Sequence, residues 1–226
     1  MVCRRIFYSF VLILLCSSFL FKERSEHRQF ISESLSKSIE KMLDYHVEYK
    51  KFTPEIALRS FKVFIDQFDS LKIYLLRSEI DQYVSMPYGD LKKVAKLHKS
   101  GNYQSFYELN ECIRLSIYRA REIRRCVRQR LLESDLSLEC AEPKEVFAAS
   151  SDELAERNYR KLRSFLIAEM KIEGVSDFSK DQRICLLDLC ENRFQKQEQK
   201  YLEGEEALVM RVLKAFAKSL DAHSSF

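Results

Sequence analysis

The scarcity of glycine and proline constrains this chain more than any other feature: four glycines and three prolines occur in 226 residues. Glycine supplies the positive-φ turns of hairpins and phosphate loops, and proline interrupts helices, so a chain this poor in both has few places to turn. A hydrophobic content of 46% beside 32% charged residues is typical of a folded, soluble protein. No strand alternation or internal repeat stands out. The sequence therefore predicts an all-α fold.

Apolar residues recur every three or four positions in segments that the few breakers separate. We predict a multi-helix bundle of about seven helices with one long central helix. The helical segments run from about Glu26 to Tyr49, Pro54 to Asp69, Arg77 to Pro87, Gly89 to Gly101, Asn102 to Ser134, Ser151 to Gly174, Asp181 to Leu202 and Glu205 to Leu220. Between them, residues 71–76 form a short apolar link, and the polar stretch from Ser134 to Ser151 is the clearest loop.

The first 21 residues differ in kind from the rest. Arg4 and Arg5 precede an apolar run over residues 6–15, and small residues follow at Cys16 to Ser18. The run is shorter than the roughly 18–20 residues of a spanning helix. We interpret residues 1–21 as a signal peptide, with a retained N-terminal anchor as the alternative. Either one predicts export.

Seven cysteines are present, at positions 3, 16, 112, 126, 140, 185 and 190. Cys112 and Cys126 stand about 14 residues apart on one predicted helix, or roughly 21 Å, which exceeds the reach of a disulfide. Cys185 and Cys190 point to different helix faces, and no CxxC spacing occurs. We interpret the five cysteines after the targeting segment as buried or half-buried free thiols. A structural disulfide or a metal site is the alternative.

Motifs that carry chemistry are missing. The sequence has no Gly-rich phosphate loop, HExxH, GxSxG or Asp-rich metal loop. Its histidines are scattered, and none has a second ligand at helical spacing: His27, His46, His98 and His223. We therefore predict no catalytic residue, no cofactor-binding residue and no metal ligand, and no cofactor.

Seven arginines within 17 residues of the long helix are the one strong charge feature: Arg114, Arg119, Arg121, Arg124, Arg125, Arg128 and Arg130. One interpretation is a surface for an anionic partner such as RNA, DNA or lipid headgroups. The other is a solvated helix face whose arginines pair with Glu108, Glu111, Glu122 and acidic neighbours elsewhere. The arginines surround the apolar stripe, and no aromatic residues that could stack on bases are interleaved. We favour ion pairing and expect no nucleic-acid partner.

Two stretches resemble a known family. Residues 64–80, FIDQFDSLKIYLLRSEI, are similar to the helical N-terminal domain of tail-specific (carboxyl-terminal processing) proteases, in which a helix ends in a Leu-Asp-Pro turn followed by Lys, Tyr-Phe-Leu and Ser-Asp-Ile. Residues 219–226, SLDAHSSF, resemble the family's Ser-(Leu/Ile)-Asp-Pro-His-Thr-(Ser)-Tyr segment. The departures are Ser70 and Ala222 for proline, Glu79 for Asp, Ser224 for Thr and Phe226 for Tyr.

The resemblance implies that residues 22–220 form the helical N-terminal domain of such a protease and that residues 221–226 begin the linker to a PDZ domain and protease core. The complete enzymes are periplasmic serine proteases with a Ser/Lys dyad, and none of their catalytic residues maps onto this sequence. We therefore expect a scaffold, truncated before its catalytic domains and inactive alone, in the periplasm or anchored in the inner membrane. Its expected partners are the PDZ domain and protease core, a protein adaptor or a second copy. The alternative is a stand-alone helical interaction module or an inactive remnant.

Overall fold

In the computed structural model of the chain, residues 32–136 and 146–220 are described, and these ranges contain eight helices and no strand. The helices are α1 (32–45), α2 (Pro54–Asp69), α3 (Arg77–Val84), α4 (Tyr88–Lys99), α5 (Gln104–Glu133), α6 (Ser151–Glu173), α7 (Lys180–Leu202) and α8 (Glu205–Leu220). The predicted all-α bundle is confirmed, and the expected number of about seven is close. The predicted targeting segment 1–21 and linker 221–226 lie outside the described residues.

Local capping fixes where the helices begin. The Thr53 hydroxyl accepts from the Ile56 backbone N–H at 3.3 Å, and Pro54 occupies the first turn of α2, where its missing N–H is harmless. Ser150 caps α6 in the same way by accepting from Glu153. A capping box between Ser179 and Gln182 opens α7. These starts were predicted because caps and breakers are local signals.

Some helix ends differ from the prediction. The first helix ends at residue 45 and not at Tyr49, because the Nδ1 atom of His46 accepts from the backbone N–H groups of Glu48 and Tyr49 and turns the chain. Helix α3 ends at Val84, before Pro87. Helix α4 starts at Tyr88, so Gly89 lies in its first turn and does not precede it.

The long helix α5 organises the bundle. Its 30 residues span about 45 Å, and it packs against α6, α7 and α8. Helix α2 packs against α3, α4 and α8, so that α5 and α8 join two groups of helices. At the end of α5, Arg183 of α7 donates to the carbonyls of Leu131 and Ser134, which have no partner within the helix.

An aromatic cluster fills the centre of the α2 group. Phe61, Phe106 and Phe216 are at most 1% exposed. Their rings surround His98, which stacks on Tyr103 with centroids 5.0 Å apart and on Phe106 at 5.5 Å. Burial of these large rings supplies much of the hydrophobic stabilisation of this half of the bundle.

No helix within the described ranges is both long and apolar enough to span a lipid bilayer.

Candidate functional site: a tied turn and a buried ion-pair network

Residues with chemical potential that the sequence singles out do not converge in the structure. His46 caps the turn after α1, and His98 lies in the aromatic cluster, while His27 and His223 lie outside the described residues. The described part of the chain contains no group of three His, Cys, Asp or Glu side chains able to hold a metal ion. The expectation of no catalytic, cofactor or metal residue stays a prediction.

The described cysteines are free thiols, although their burial differs from the expectation. Cys190 is buried and Cys112 is half-buried, whereas Cys126 and Cys185 are exposed. The prediction of buried or half-buried thiols is therefore wrong for those two, because each lies on a solvent-facing side of its helix. Cys3, Cys16 and Cys140 lie outside the described residues.

All seven arginines of the α5 run form ion pairs. The pairs are Arg114–Glu111, Arg119–Glu79, Arg121–Glu198, Arg124–Glu191 and Glu198, Arg125–Glu122, Arg128–Asp188 and Arg130–Glu156. The predicted pairing with Glu111 and Glu122 is confirmed, whereas Glu108 accepts from Gln104. Because each cation already has a carboxylate, the run carries much less free positive charge than its sequence suggests.

The solvated-face interpretation is wrong at the centre of the run, because the Arg124 side chain is only 1% exposed. Its Nε and Nη2 atoms donate to Glu191 at 2.7 and 3.1 Å, and Nη2 also donates to Glu198 at 2.6 Å. The guanidinium lies over the ring of Phe194, 4.6 Å from its centroid. A charge this deeply buried requires such partners, since its desolvation is expensive.

Glu198 is the acidic centre of the same network and is also 1% exposed. It accepts from Arg124, from the Nε atom of Arg121 at 2.7 Å and from the Tyr74 hydroxyl at 3.0 Å. Burial, followed by the neighbouring Glu198 charge, raises the pKa of Tyr74, so the phenol stays a hydrogen-bond donor. Burial pushes the pKa of Glu191 upward, but the hydrogen bond and charge of Arg124 lower it overall. The network thus joins α5 and α7 to the segment after α2.

That segment is a turn built around one buried carboxylate, Asp69, which is 2% exposed. Its Oδ1 atom accepts from the backbone N–H of Ile73 at 2.8 Å. Its Oδ2 atom accepts from the N–H groups of Tyr74 and Leu75 at 3.0 and 2.9 Å. Burial raises the pKa of Asp69, although the three backbone donors act in the opposite direction.

Three side chains from distant helices hold the carbonyls of the same turn. Arg157 donates to the Lys72 carbonyl at 3.1 Å, Asn158 to that of Ile73 at 2.9 Å, and Arg119 to that of Tyr74 at 2.7 Å. Lys72 has a φ of 55°, a left-handed conformation that is strained for a residue with a side chain. We call residues 69–76 the Asp69 turn. Nearly every backbone polar group in it is tied to a side chain of the bundle.

The geometry described so far is that of a rigid support. A family model described as the tail specific protease N-terminal domain matches residues 38–226, from within α1 through α8 and beyond. The chain belongs to this family. No curated protein matches the sequence. The resemblance of residues 64–80 and 219–226 to tail-specific proteases is confirmed at the level of the family.

Two departures of this tail-specific protease N-terminal domain from the family pattern have structural explanations. Ser70, where proline is usual, has a φ of −58°, within the range that a proline ring imposes, so the turn keeps its shape without the ring. Glu79, where Asp is usual, accepts from the Leu76 backbone N–H at 2.8 Å while Arg119 donates to both of its oxygens. Both substitutions preserve the Asp69 turn. Ala222, Ser224 and Phe226 lie outside the described residues.

Sequence reasoning missed the side chains that tie this domain together. Asn158 had a local signal, because it lies between Leu154 and Leu162 on the apolar face of α6, where a polar residue needs a partner. Glu191 and Glu198 carried no comparable signal, since α7 has polar residues on most sides. Their roles depend on arginines about 70 positions earlier in the chain.

Proposed function

We propose that this domain is the helical, non-catalytic scaffold of an exported tail-specific serine protease, and that it positions the PDZ domain and protease core of that enzyme. The observation that carries the proposal is the family match over residues 38–226. The complete enzyme would cleave proteins from or near their C-termini, and this domain would supply no group to the reaction.

The interior of the domain supports a scaffolding role. The Asp69 turn and the Arg124–Glu198 network connect α2, α5, α6 and α7 through buried, directional contacts. Networks of this kind are rigid when every member is satisfied, and a rigid support limits the entropy lost when another domain docks. The paired arginines of α5 favour a protein partner over nucleic acid.

Mixing experiments test the scaffold role. The purified chain is incubated with an unfolded protein that bears an apolar C-terminus, alone and with the PDZ–protease core of a tail-specific protease. We expect no turnover by the chain alone and an increase in turnover by the core when the chain is added. Turnover by the chain alone that survives removal of contaminating proteases would contradict the proposal. A chain that binds a partner without changing turnover by the core would favour the stand-alone interaction module.

Export is tested separately with residues 1–40 fused to an alkaline phosphatase, which becomes active only outside the reducing cytoplasm. We expect phosphatase activity from the native fusion and its loss when Ile13→Asp and Leu14→Asp interrupt the apolar run. Release of the enzyme into the soluble periplasmic fraction indicates a cleaved signal, whereas retention with membranes indicates an anchor. A fusion that stays inactive rules out export by this segment.

A further inference from the structure

A groove of about 430 Å³ runs between α6 and α7, and Leu71 of the Asp69 turn lies at its edge. Each wall is a helical stripe with i, i+3, i+4, i+7 spacing, so the groove is two helical turns, or about 10 Å, long. The α6 wall consists of Lys161, Ser164, Phe165 and Ala168, and the α7 wall of Cys190, Arg193, Phe194 and Gln197.

The floor of the groove is apolar and parts of its edge are exposed. Cys190 and Phe194 are buried, whereas 53% of Leu71 faces solvent. Ile172, one turn beyond Ala168 on the same face of α6, is 77% exposed and extends the apolar surface. Contiguous apolar surface of this kind, bordered by polar residues, is typical of an interaction site.

Leu71 is held in place before any partner arrives. It lies between Asp69, whose carboxylate closes the turn, and Lys72, whose carbonyl accepts from Arg157 and whose φ is 55°. A left-handed residue next to an exposed leucine indicates that the fold keeps this conformation against a local energetic preference. An immobile anchor loses little entropy on binding.

The charges at the rim have one sign. Lys161 stands on the α6 wall and Arg193 on the α7 wall, and the residues that line the groove include no acid. The Arg193 guanidinium lies 5.5 Å from the centroid of the Phe165 ring. A ligand with an apolar stripe flanked on both sides by carboxylates would match this arrangement.

We propose that the α6–α7 groove is a docking site for an acidic amphipathic helix of a partner protein. Two parallel-walled turns of groove accommodate apolar side chains at positions i, i+4 and i+7 of a helix, and acidic residues beside that stripe meet Lys161 and Arg193. The inference is independent of the proposed protease role, since it depends only on the walls of the groove and on the Asp69 turn.

The probe is a fluorescent helical peptide of about 16 residues with leucines at i, i+4 and i+7 and glutamates on both sides. Its matched control carries lysines in place of the glutamates. Anisotropy measures affinity for the full chain, and amide NMR shifts locate the site. We expect saturable binding of the glutamate peptide at least about 10-fold tighter than that of the lysine peptide, weakening as salt rises. No saturable binding, equal binding of both peptides, or shifts outside α6 and α7 would overturn the proposal.

Variants at exposed positions separate the groove from the rest of the surface. Leu71→Asp and Ala168→Glu should each weaken the glutamate peptide at least about 10-fold. Leu115→Asp, at a 60% exposed position on α5, should leave affinity unchanged. If either groove variant unfolds by circular dichroism, the double variant Lys161→Glu, Arg193→Glu decides instead, because it should reverse the preference toward the lysine peptide. Equal losses in Leu115→Asp, or an unchanged preference in the double variant, would contradict the assignment.

A second copy of the chain is the competing occupant. Analytical ultracentrifugation of the wild type and of Leu71→Asp distinguishes the two. Self-association that disappears in Leu71→Asp would assign the groove to a homodimer and overturn the proposed partner, whereas a monomer in both cases supports it.

Discussion

Asp69 shows how much structure one side chain can fix. Its two oxygens accept from three successive backbone N–H groups, those of Ile73, Tyr74 and Leu75. An ionised carboxylate offers acceptors on both oxygens, whereas an amide offers one acceptor oxygen and a donor nitrogen that would face a backbone N–H. The position therefore requires an acid of this length, even though burial opposes its charge.

Replacing Asp69 with Asn should destabilise the domain by about 2–4 kcal/mol, because one or two buried N–H groups lose their acceptor. Chemical denaturation monitored by circular dichroism measures the change. Asp66→Asn, on the exposed side of α2 one turn earlier, is the matched control and should change stability by about 0.5 kcal/mol or less. A similar effect in both variants would refute the assigned role of Asp69.

His98 makes stability depend on pH. Burial among aromatic rings lowers the pKa of His98 from 6.5 to about 3, and neither ring nitrogen has a hydrogen-bond partner among the described residues. Between these two pH values the unfolded chain binds a proton that the folded chain does not. Stability is therefore fully present above about pH 6.5 and decreases as the pH falls toward 3, by up to about 1.4 kcal/mol per pH unit.

The variant His98→Phe should remove this contribution while keeping a flat ring in the cluster. Unfolding free energies of both proteins between pH 4 and 7 provide the measurement. The difference between the two curves should flatten above pH 6.5. Parallel curves throughout would show that His98 is not the group that titrates.

At the scale of the element, the helices follow from local pattern, and their mutual attachment does not. The Pro54 and Ser151 helix starts were predictable because the caps lie within three residues. The end of α1 was not, because it depends on how the His46 ring folds back on the chain. The ion pairs of α5 were anticipated in kind, but Arg124 was placed at the surface because its partners, Glu191 and Glu198, lie on α7.

Glu198→Gln tests the α5–α7 attachment. The amide keeps the shape but leaves Arg124 and Arg121 without a full counter-charge in a buried site, so we expect a loss of about 3–5 kcal/mol. Glu122→Gln, in the exposed pair with Arg125, should cost about 0–1 kcal/mol. A double-mutant cycle with Arg124→Met measures the coupling, and an interaction energy near zero would contradict a cooperative network.

At the scale of the whole molecule, α8 closes the aromatic core. Phe216 is 1% exposed and contacts the rings of Phe52 and Phe106, at centroid distances of 5.1 and 5.7 Å. Phe216→Ala should lower the unfolding free energy by about 3–5 kcal/mol, whereas Met210→Ala on the exposed side of α8 should change it by about 0.5 kcal/mol. Thermal unfolding provides the comparison. Equal effects would mean that α8 is peripheral to the core.

The pairing of α2 with α8 also sets an order of assembly. About 150 residues separate the end of α2 from the end of its partner, and the Asp69 turn likewise waits for Arg157 and Asn158 of α6. At about 5–20 residues per second, the ribosome needs roughly 8–30 s to cover that distance. Throughout this interval the phenylalanine face of α2 has no α8 to cover it. A nascent chain of this protein is therefore a strong candidate for chaperone capture through α2, and it releases itself when α8 arrives.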